Sequence, residues 1–179
     1  VTDKFRRRQV STAGDAVFIP GGRIHAIGAG CLLLEVQQNS NTTYRLFDWN
    51  RKDKRGHSRP LHINEALRVI SFDDIEQPLL KQTPGISKGG NKTTLLKECP
   101  FFRIEKMDLM GKLETGRGKS FEILFVENGS IIVDSAKDSS SQPVSVQRGV
   151  ACLVPASIQP YSLTPGDGAV STVIRILPA

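Results

Sequence analysis

A seven-residue pattern occurs twice in this chain and constrains the fold more than any other feature. Residues 14–20 read GDAVFIP and residues 149–155 read GVACLVP, at a constant offset of 135 residues. Each copy has a turn glycine, a short apolar run and a proline, a residue that sheets tolerate at strand ends and edges. Recurrence at a fixed offset indicates repeated architecture. The chain is therefore predicted to contain two β-domains built to one plan.

Short apolar runs bounded by Gly, Pro, Asn or Ser predict strands along most of the chain. The predicted strands cover residues 16–19, 31–37, 101–109, 120–126, 130–134, 151–154 and 171–177. Asn128-Gly129 separates two of these runs, and this dipeptide predicts a two-residue hairpin turn. The predicted fold class is therefore mainly β.

One segment has a different period and predicts a short helical insert. In LHINEALRVISFDD, Ile63, Leu67 and Ile70 fall at helical spacing, and Asn64 is the predicted N-cap. Residues 81–92 are poor in large apolar side chains and are predicted to be a linker. We therefore expect a first domain over residues 1–58, a helix and linker over 59–90, and a second domain over 91–179.

Composition limits the classes of function. The 179 residues are 39% hydrophobic and 23% charged, as in globular proteins. No stretch approaches the roughly 18 apolar residues of a membrane span, and Cys31, Cys99 and Cys152 have no disulfide or zinc-ribbon spacing. A soluble cytoplasmic protein with reduced thiols is expected, with no membrane partner.

The net charge favours an anionic small molecule over nucleic acid as a partner. The formal net charge is +6, but aromatic residues are only 6% and do not alternate with the basic ones as in a stacking platform. Most of the basic residues are expected to lie in solvated loops. Nucleic acid is not predicted as a partner, whereas a sugar phosphate is compatible with the charge.

A lone histidine follows the first copy of the repeat. Gly14, Pro20, Gly22 and His25 fill the pattern G-x5-P-x-G-x2-H. This pattern resembles the second motif of the cupin superfamily, which consists of small jelly-roll barrels with a metal inside the barrel. The resemblance implies that His25 is a metal ligand. The alternative is a structural histidine that caps the turn through a backbone hydrogen bond.

The next stretch, residues 32–51, reads LLLEVQQNSNTTYRLFDWNR and resembles type I phosphomannose isomerases, also called mannose-6-phosphate isomerases. The resemblance places Glu35 on the strand after His25 and Arg45 ten residues further on, within a T-x-Y-R-x-x-D-W context. It implies interconversion of mannose 6-phosphate and fructose 6-phosphate through an enediol. It also implies a zinc ion that polarises the carbonyl group.

The resemblance implies a role for each of the three residues. His25 would bind zinc, Glu35 would act as general base, and Arg45 would place a cation beside the enediolate or the phosphate. On a strand between apolar neighbours, Glu35 would be desolvated, which favours a raised pKa. The structural alternatives are that Glu35 faces solvent and that Arg45 pairs with Asp48 or Glu35.

Zinc in a catalytic site takes about three protein ligands, and residues 1–24 contain neither histidine nor glutamate. We therefore expect an upstream segment or a separate chain to complete the site, and negligible turnover by this chain alone. The chain is interpreted as the C-terminal portion of an isomerase. The alternative is a non-catalytic cupin-like protein that binds sugar phosphate or has a regulatory role.

The second domain is predicted to be a complete but degenerate cupin barrel, whereas the first is partial. Glu122 to Gly129 matches the tail of the first cupin motif, but residues 115–118 lack the expected H-x-H pair and Pro160 stands in place of the later histidine. Glu122 is interpreted as structural. The expected interior is a dry core that includes the apolar side chains of Phe121, Ile123, Phe125 and Leu153.

Overall fold

The computed structural model describes residues 10–81, 83–116, 118–135, 142–158, 160–166 and 168–179. The chain divides into two compact units, Val1–Leu79 and Leu80–Ala179, called unit 1 and unit 2 below. No helix in the described part of the chain is long and apolar enough to cross a membrane.

Unit 1 consists mainly of irregular backbone around one short helix. Helix α1 spans Ile63–Val69, so the helical insert is confirmed, but its N-cap is His62 and not Asn64. Of the described residues in this unit, only Asp48 and Ala66 are buried. The predicted apolar side chains of Ile63 and Leu67 are about half exposed, at 49% and 52%.

The two strands predicted in unit 1 do not form. Residues 31–37 are irregular, and residues 16–19 contribute a single antiparallel bridge, between Val17 and Leu79. A strand is stable only when its backbone N–H and C=O groups have partners on a neighbouring strand. No described strand of unit 1 lies beside these residues, so their apolar composition is not sufficient to make them strands.

Unit 2 is a pair of antiparallel sheets, which confirms the mainly β fold class. Its strands are β1 (Ile86–Lys88), β2 (Asn91–Glu98), β3 (Phe102–Leu109), β4 (Leu113–Thr115), β5 (Glu122–Asn128), β6 (Ser130–Ser135), β7 (Val144–Gln147), β8 (Ala151–Val154), β9 (Tyr161–Pro165) and β10 (Ser171–Pro178). A 3-10 helix, Ala156–Ile158, follows β8. Strand β1 and the first residues of β2 lie within the segment predicted to be a linker, residues 81–92.

The strand order is β1-β2-β3-β10-β5-β8 in a six-stranded sheet and β4-β9-β6-β7 in a four-stranded sheet. The buried apolar core is formed by Met107, Leu109, Leu124, Val126, Ile131, Val133, Val146, Val154, Tyr161, Leu163 and Val173. These side chains come from strands of both sheets, as expected where two sheets share one core.

The predicted hairpin at Asn128-Gly129 is wrong, because β5 and β6 belong to different sheets. A type I′ hairpin turn needs positive φ at both central residues, and here Gly129 has a φ of +73° whereas Asn128 is not in the positive-φ region. A Cβ atom at Gly129 would lie 2.6 Å from Ser171 Oγ. The glycine therefore forms a corner between the sheets, against the first residue of β10.

The predicted inward face of β5 is also wrong. Glu122, Leu124 and Val126 are buried. Phe121 and Leu153, which were expected in the core, are 42% and 59% exposed. Because β5 carries apolar side chains on both faces, its pattern does not decide which face is buried. The inward orientation of Glu122 is supported by a hydrogen bond from Tyr161 Oη to Glu122 Oε2, at 2.6 Å.

Candidate functional site

The turn before His25 is fixed against the end of helix α1. Gly22 has a φ of +87°, and a Cβ atom there would lie 2.7 Å from the carbonyl oxygen of Val69. The Ser71 N–H donates to the Gly22 carbonyl at 3.1 Å. Arg23 forms a two-point ion pair with Asp74, which raises the pKa of Arg23 and lowers that of Asp74. The turn is therefore one of the few well-anchored parts of unit 1.

His25 lies on the surface just after this turn. Its Nδ1 is 3.1 Å from the carbonyl oxygen of Arg23, and because a carbonyl oxygen only accepts, Nδ1 carries the proton in this hydrogen bond. The contact is the backbone bond expected for a structural histidine. It also leaves the Nε2 lone pair free, which is the tautomer of many metal-bound histidines.

Glu35 is exposed on irregular backbone. Its side chain makes no hydrogen bond or ion pair with another described residue. The expected desolvation between Cys31 and Leu33 does not occur, since both of these residues are exposed as well. Within the described residues, Glu35 therefore has the solvent-facing position given above as the structural alternative.

Arg45 is held more firmly, by the segment that precedes helix α1. Its backbone N–H donates to His62 Nδ1 at 3.2 Å, and the His62 N–H donates to the Arg45 carbonyl at 2.8 Å. The Arg45 guanidinium donates to the Pro60 carbonyl at 3.4 Å. Its Nε is 4.0 Å from Asp48 Oδ1, at the limit of an ion pair. His62 thus fixes the backbone of Arg45.

Asp48 is the centre of a basic cluster. Its carboxylate is only 7% exposed and accepts hydrogen bonds from Arg51 Nη2 at 2.6 Å and from Arg59 Nε at 2.8 Å. The hydrogen bonds from Arg59 and Arg51 outweigh desolvation and hold the pKa of the Asp48 carboxyl well below its ordinary range. With Arg45, three guanidinium groups surround one carboxylate, so the cluster has an excess of two positive charges.

The three predicted site residues are not brought together by direct contacts. No hydrogen bond or ion pair between described residues joins His25, Glu35 and Arg45. The described ranges also contain no group of three or more His, Cys, Asp or Glu side chains that could hold a metal ion. The side chains present therefore do not form a complete zinc site.

The chain is similar to several known mannose-6-phosphate isomerases. Residues 91–174 match the family model of the mannose-6-phosphate isomerase cupin domain. The mannose-6-phosphate isomerase ManA of Bacillus subtilis (strain 168) is 39% identical over 127 residues, which are 71% of this chain and 40% of ManA. The mannose-6-phosphate isomerase of Streptococcus mutans is 40% identical over 102 residues, which are 57% of this chain and 31% of that protein.

A solved structure shares the fold. The crystal structure of mannose 6-phosphate isomerase from Bacillus subtilis matches with a TM-score of 0.65 at 23% identity, over 78% of this chain and 41% of that chain. The paired sheets of unit 2, together with the family match, define a protein of the cupin class. Within that class, residues 91–174 belong to the cupin-domain family of the mannose-6-phosphate isomerases, and the chain as a whole is similar to curated members of that family. It spans 40% and 31% of the length of the two curated relatives described above.

Proposed function

We propose that this chain supplies part of the active site of an aldose-ketose isomerase that interconverts mannose 6-phosphate and fructose 6-phosphate. The single observation that carries the proposal beyond family membership is the environment of Arg45. Its backbone is fixed by His62, and its guanidinium lies at the edge of a cluster with excess positive charge. A fixed cation is what an anionic substrate and an enediolate intermediate require.

The charge of the cluster supports a phosphorylated substrate. Arginine stays protonated at all physiological pH values, so Arg45, Arg51 and Arg59 together carry three positive charges against the single charge of Asp48. Because Arg51 and Arg59 occupy the Asp48 oxygens closely, Arg45 at 4.0 Å is the least committed of the three. We propose that Arg45 stabilises either the enediolate or the phosphate of the substrate.

Glu35 is proposed as the base that moves the proton between C1 and C2 of the sugar. Its carboxylate has no hydrogen-bond or ion-pair partner among the described residues, so it is free to accept a proton from the sugar. His25 is proposed as one metal ligand, through Nε2. Since the described side chains do not complete a zinc site, further ligands are proposed to come from an upstream segment or a separate chain.

A cytoplasmic location is also proposed. Cys31, Cys99 and Cys152 are all free thiols, and unpaired thiols are typical of a reducing compartment.

The test measures isomerisation of mannose 6-phosphate by this chain alone and by a chain extended upstream to the length of the curated relatives. We expect activity and bound zinc in the longer chain and negligible turnover in the shorter one. Arg45→Ala in the longer chain is expected to lower kcat by at least about 100-fold, as for the loss of one stabilising donor. The control is Arg55→Ala, which removes an exposed arginine ten residues after Arg45 and should retain activity.

Two results would contradict the proposal. If the longer chain binds sugar phosphate but never isomerises it, the protein is a binding or regulatory member of the family. If Arg45→Ala and Arg55→Ala have equal activities, Arg45 is not part of the site. The activity of Glu35→Gln tests the assignment of Glu35 as the base. The zinc content and activity of His25→Ala test the assignment of His25 as a metal ligand.

A further inference from the structure

A cluster of charged and polar side chains lies in the interior of unit 2, and the isomerase reaction proposed above does not use it. Its centre is Arg175 on β10, whose side chain is 15% exposed. Arg175 donates two hydrogen bonds to Glu105 Oε2 on β3, one of them from Nε at 2.9 Å. Its Nη1 donates to Thr115 Oγ1 on β4 and lies 3.7 Å from Glu122 Oε2 on β5.

The second carboxylate of the cluster has a partner on the opposite sheet. Tyr161 on β9 is fully buried, and its hydroxyl donates to Glu122 Oε2 at 2.6 Å. Burial, with a smaller contribution from the adjacent Glu122 carboxylate, raises the pKa of the Tyr161 hydroxyl above its ordinary value. Tyr161 therefore stays neutral and remains a hydrogen-bond donor.

Two of these hydrogen bonds join the sheets. Strands β3, β5 and β10 belong to the six-stranded sheet, whereas β4 and β9 are neighbours in the four-stranded sheet. The bond from Arg175 to Thr115 and the bond from Tyr161 to Glu122 both cross the interior between them. Register explains the convergence, because Arg175 pairs directly with Glu105 and with Leu124, while Thr115 pairs with Tyr161.

Arg175 is the cation on which both buried carboxylates depend. Glu105 also accepts from Arg103 Nε at 2.8 Å, but Arg103 is 41% exposed and shared with the exposed Glu98. Glu122 is 2% exposed, and Arg175 is its only ion-pair partner among the described residues. A carboxylate left in an apolar interior without a cation is strongly destabilising.

We propose that Arg175 is an acid-sensitive latch that holds the two sheets of unit 2 together at this end of the interior. The guanidinium binds Glu105, lies beside Glu122 and reaches across to Thr115, while Glu122 in turn holds Tyr161. When Glu105 is protonated, the buried guanidinium loses the carboxylate to which it is hydrogen-bonded. The ends of β4 and β9 then separate from β10 and β5.

The direction of the pH effect follows from the groups that face Arg175. Burial opposes ionisation of Glu105, but the hydrogen bonds and charges of Arg175 and, to a smaller extent, of Arg103 together outweigh it and lower the pKa of that carboxyl. Its contribution is therefore intact above the ordinary glutamate value of about 4.3 and is lost as pH falls toward the folded-state pKa. The other titratable groups nearby are Glu122, Arg103, Tyr161 and Cys152, the last with a pKa raised by burial.

The test is hydrogen exchange of the full chain, read on peptides from β4, β9 and β10 and corrected for intrinsic rates. In the unsubstituted chain, protection is expected to be constant from pH 7 to about 5 and to fall below about 4.3. Arg175→Met is expected to lose protection at least about tenfold at pH 7, because two buried carboxylates lose their cation. It should regain protection as the pH is lowered, because protonation of Glu105 then removes a buried charge and breaks no ion pair with Arg175, so the sign of its pH dependence is reversed.

Arg103→Met is the matched control, since Arg103 contacts the same Glu105 from the exposed rim and reaches no described residue of the other sheet. It should keep the sign of the pH dependence seen in the unsubstituted chain, with loss of protection at acid pH. If Arg103→Met and Arg175→Met behave alike, the latch assignment is wrong. If Arg175→Met does not fold, Glu105→Gln decides, because it removes the charge and keeps an acceptor. The acid-induced loss of protection should then be smaller, and an unchanged loss would overturn the proposal. Neither outcome depends on the proposed isomerase activity.

Discussion

At the scale of single residues, unit 1 depends on one carboxylate. Asp48 is one of only two buried residues among those described in unit 1, and it is the common partner of Arg45, Arg51 and Arg59. The pairing with Arg45 was among the structural alternatives that the sequence left open. The pairing with Arg59 was not predicted, because an ion pair across 11 residues of irregular backbone leaves no periodic trace in the sequence.

Removal of this carboxylate should be visible in the fluorescence of Trp49, the only tryptophan of the chain. Trp49 follows Asp48 directly and its ring packs edge-on against Phe47 at 5.5 Å. Asp48→Asn is expected to shift the Trp49 emission maximum, because the three guanidinium groups then repel one another without a counter-charge. In the unsubstituted chain the same shift should appear only at acid pH, below the ordinary aspartate value of about 3.9, since the pKa of Asp48 is lowered.

Asp53→Asn provides the control for that experiment. Asp53 is exposed, and among the described residues its carboxylate accepts hydrogen bonds only from the backbone N–H groups of Arg55 and His57, apart from a long contact with the His57 ring. The Trp49 emission maximum of the Asp53→Asn variant, and its change at acid pH, should match those of the unsubstituted chain. Equal shifts in the Asp48 and Asp53 variants would mean that Asp48 does not organise the cluster.

At the scale of elements, the sequence predicted the strands that are rich in apolar residues. It missed strands that exist only because they pair with a neighbouring strand. Strands β3, β5, β8 and β10 were predicted within a few residues of their observed bounds. Strands β1 and β7, with the sequences ISK and VSVQ, have mostly exposed side chains, and only their pairing with β2 and β6 makes them strands. The opposite error occurred at residues 31–37, which are apolar but have no described strand partner.

The two copies of the repeat show the same division between local and tertiary signals. Gly14 and Gly149 both have positive φ, at +90° and +80°, so the turn was predictable from seven residues. Only the second copy continues into a strand, β8, because β5 is present to pair with it. For the candidate site, likewise, spacing singled out His25, Glu35 and Arg45, while the fixation of Arg45 by His62 depends on a contact 17 residues away.

The corner at Gly129 gives a prediction at this scale. Gly129→Ala combines an unfavourable positive φ with a Cβ atom 2.6 Å from Ser171 Oγ, whereas Gly149→Ala has the positive φ and no heavy atom within 4 Å. Gly149→Ala should lower the free energy of unfolding by about 1–2 kcal/mol. Gly129→Ala should lower it by about 1–3 kcal/mol more, through overpacking. Denaturant unfolding followed by far-ultraviolet circular dichroism measures both, and equal losses would contradict the close approach of β10.

At the scale of the whole molecule, the two units differ in how they bury apolar surface. Unit 2 has a contiguous core from both of its sheets. Unit 1 leaves many large apolar side chains exposed, including Leu32, Leu33 and Leu34 at 103%, 48% and 44%. Because hydrophobic burial is the main favourable contribution to folding, we expect local stability to be concentrated in unit 2.

Hydrogen exchange measures this difference directly. Amides of β3 and β10, in the middle of the six-stranded sheet, should exchange slowest, since they are released only by global unfolding of unit 2. Amides of residues 31–37, which have no backbone hydrogen bonds to described residues, should exchange close to the intrinsic rate. Slow exchange of residues 31–37 would contradict this expectation and show that another part of the chain protects them.

The position of β10 has a consequence for the folding of unit 2 during its synthesis. The strand lies between β3 and β5, and its most distant pairing, between Pro178 and Phe102, spans 76 positions of the sequence. Contacts of such sequence separation form late and slow the folding of a domain. On the ribosome, the six-stranded sheet would remain split until β10 emerges, with β3 and β5 exposing unpaired edges. Nascent chains of this protein should therefore need protection from association until almost the whole of unit 2 has been translated.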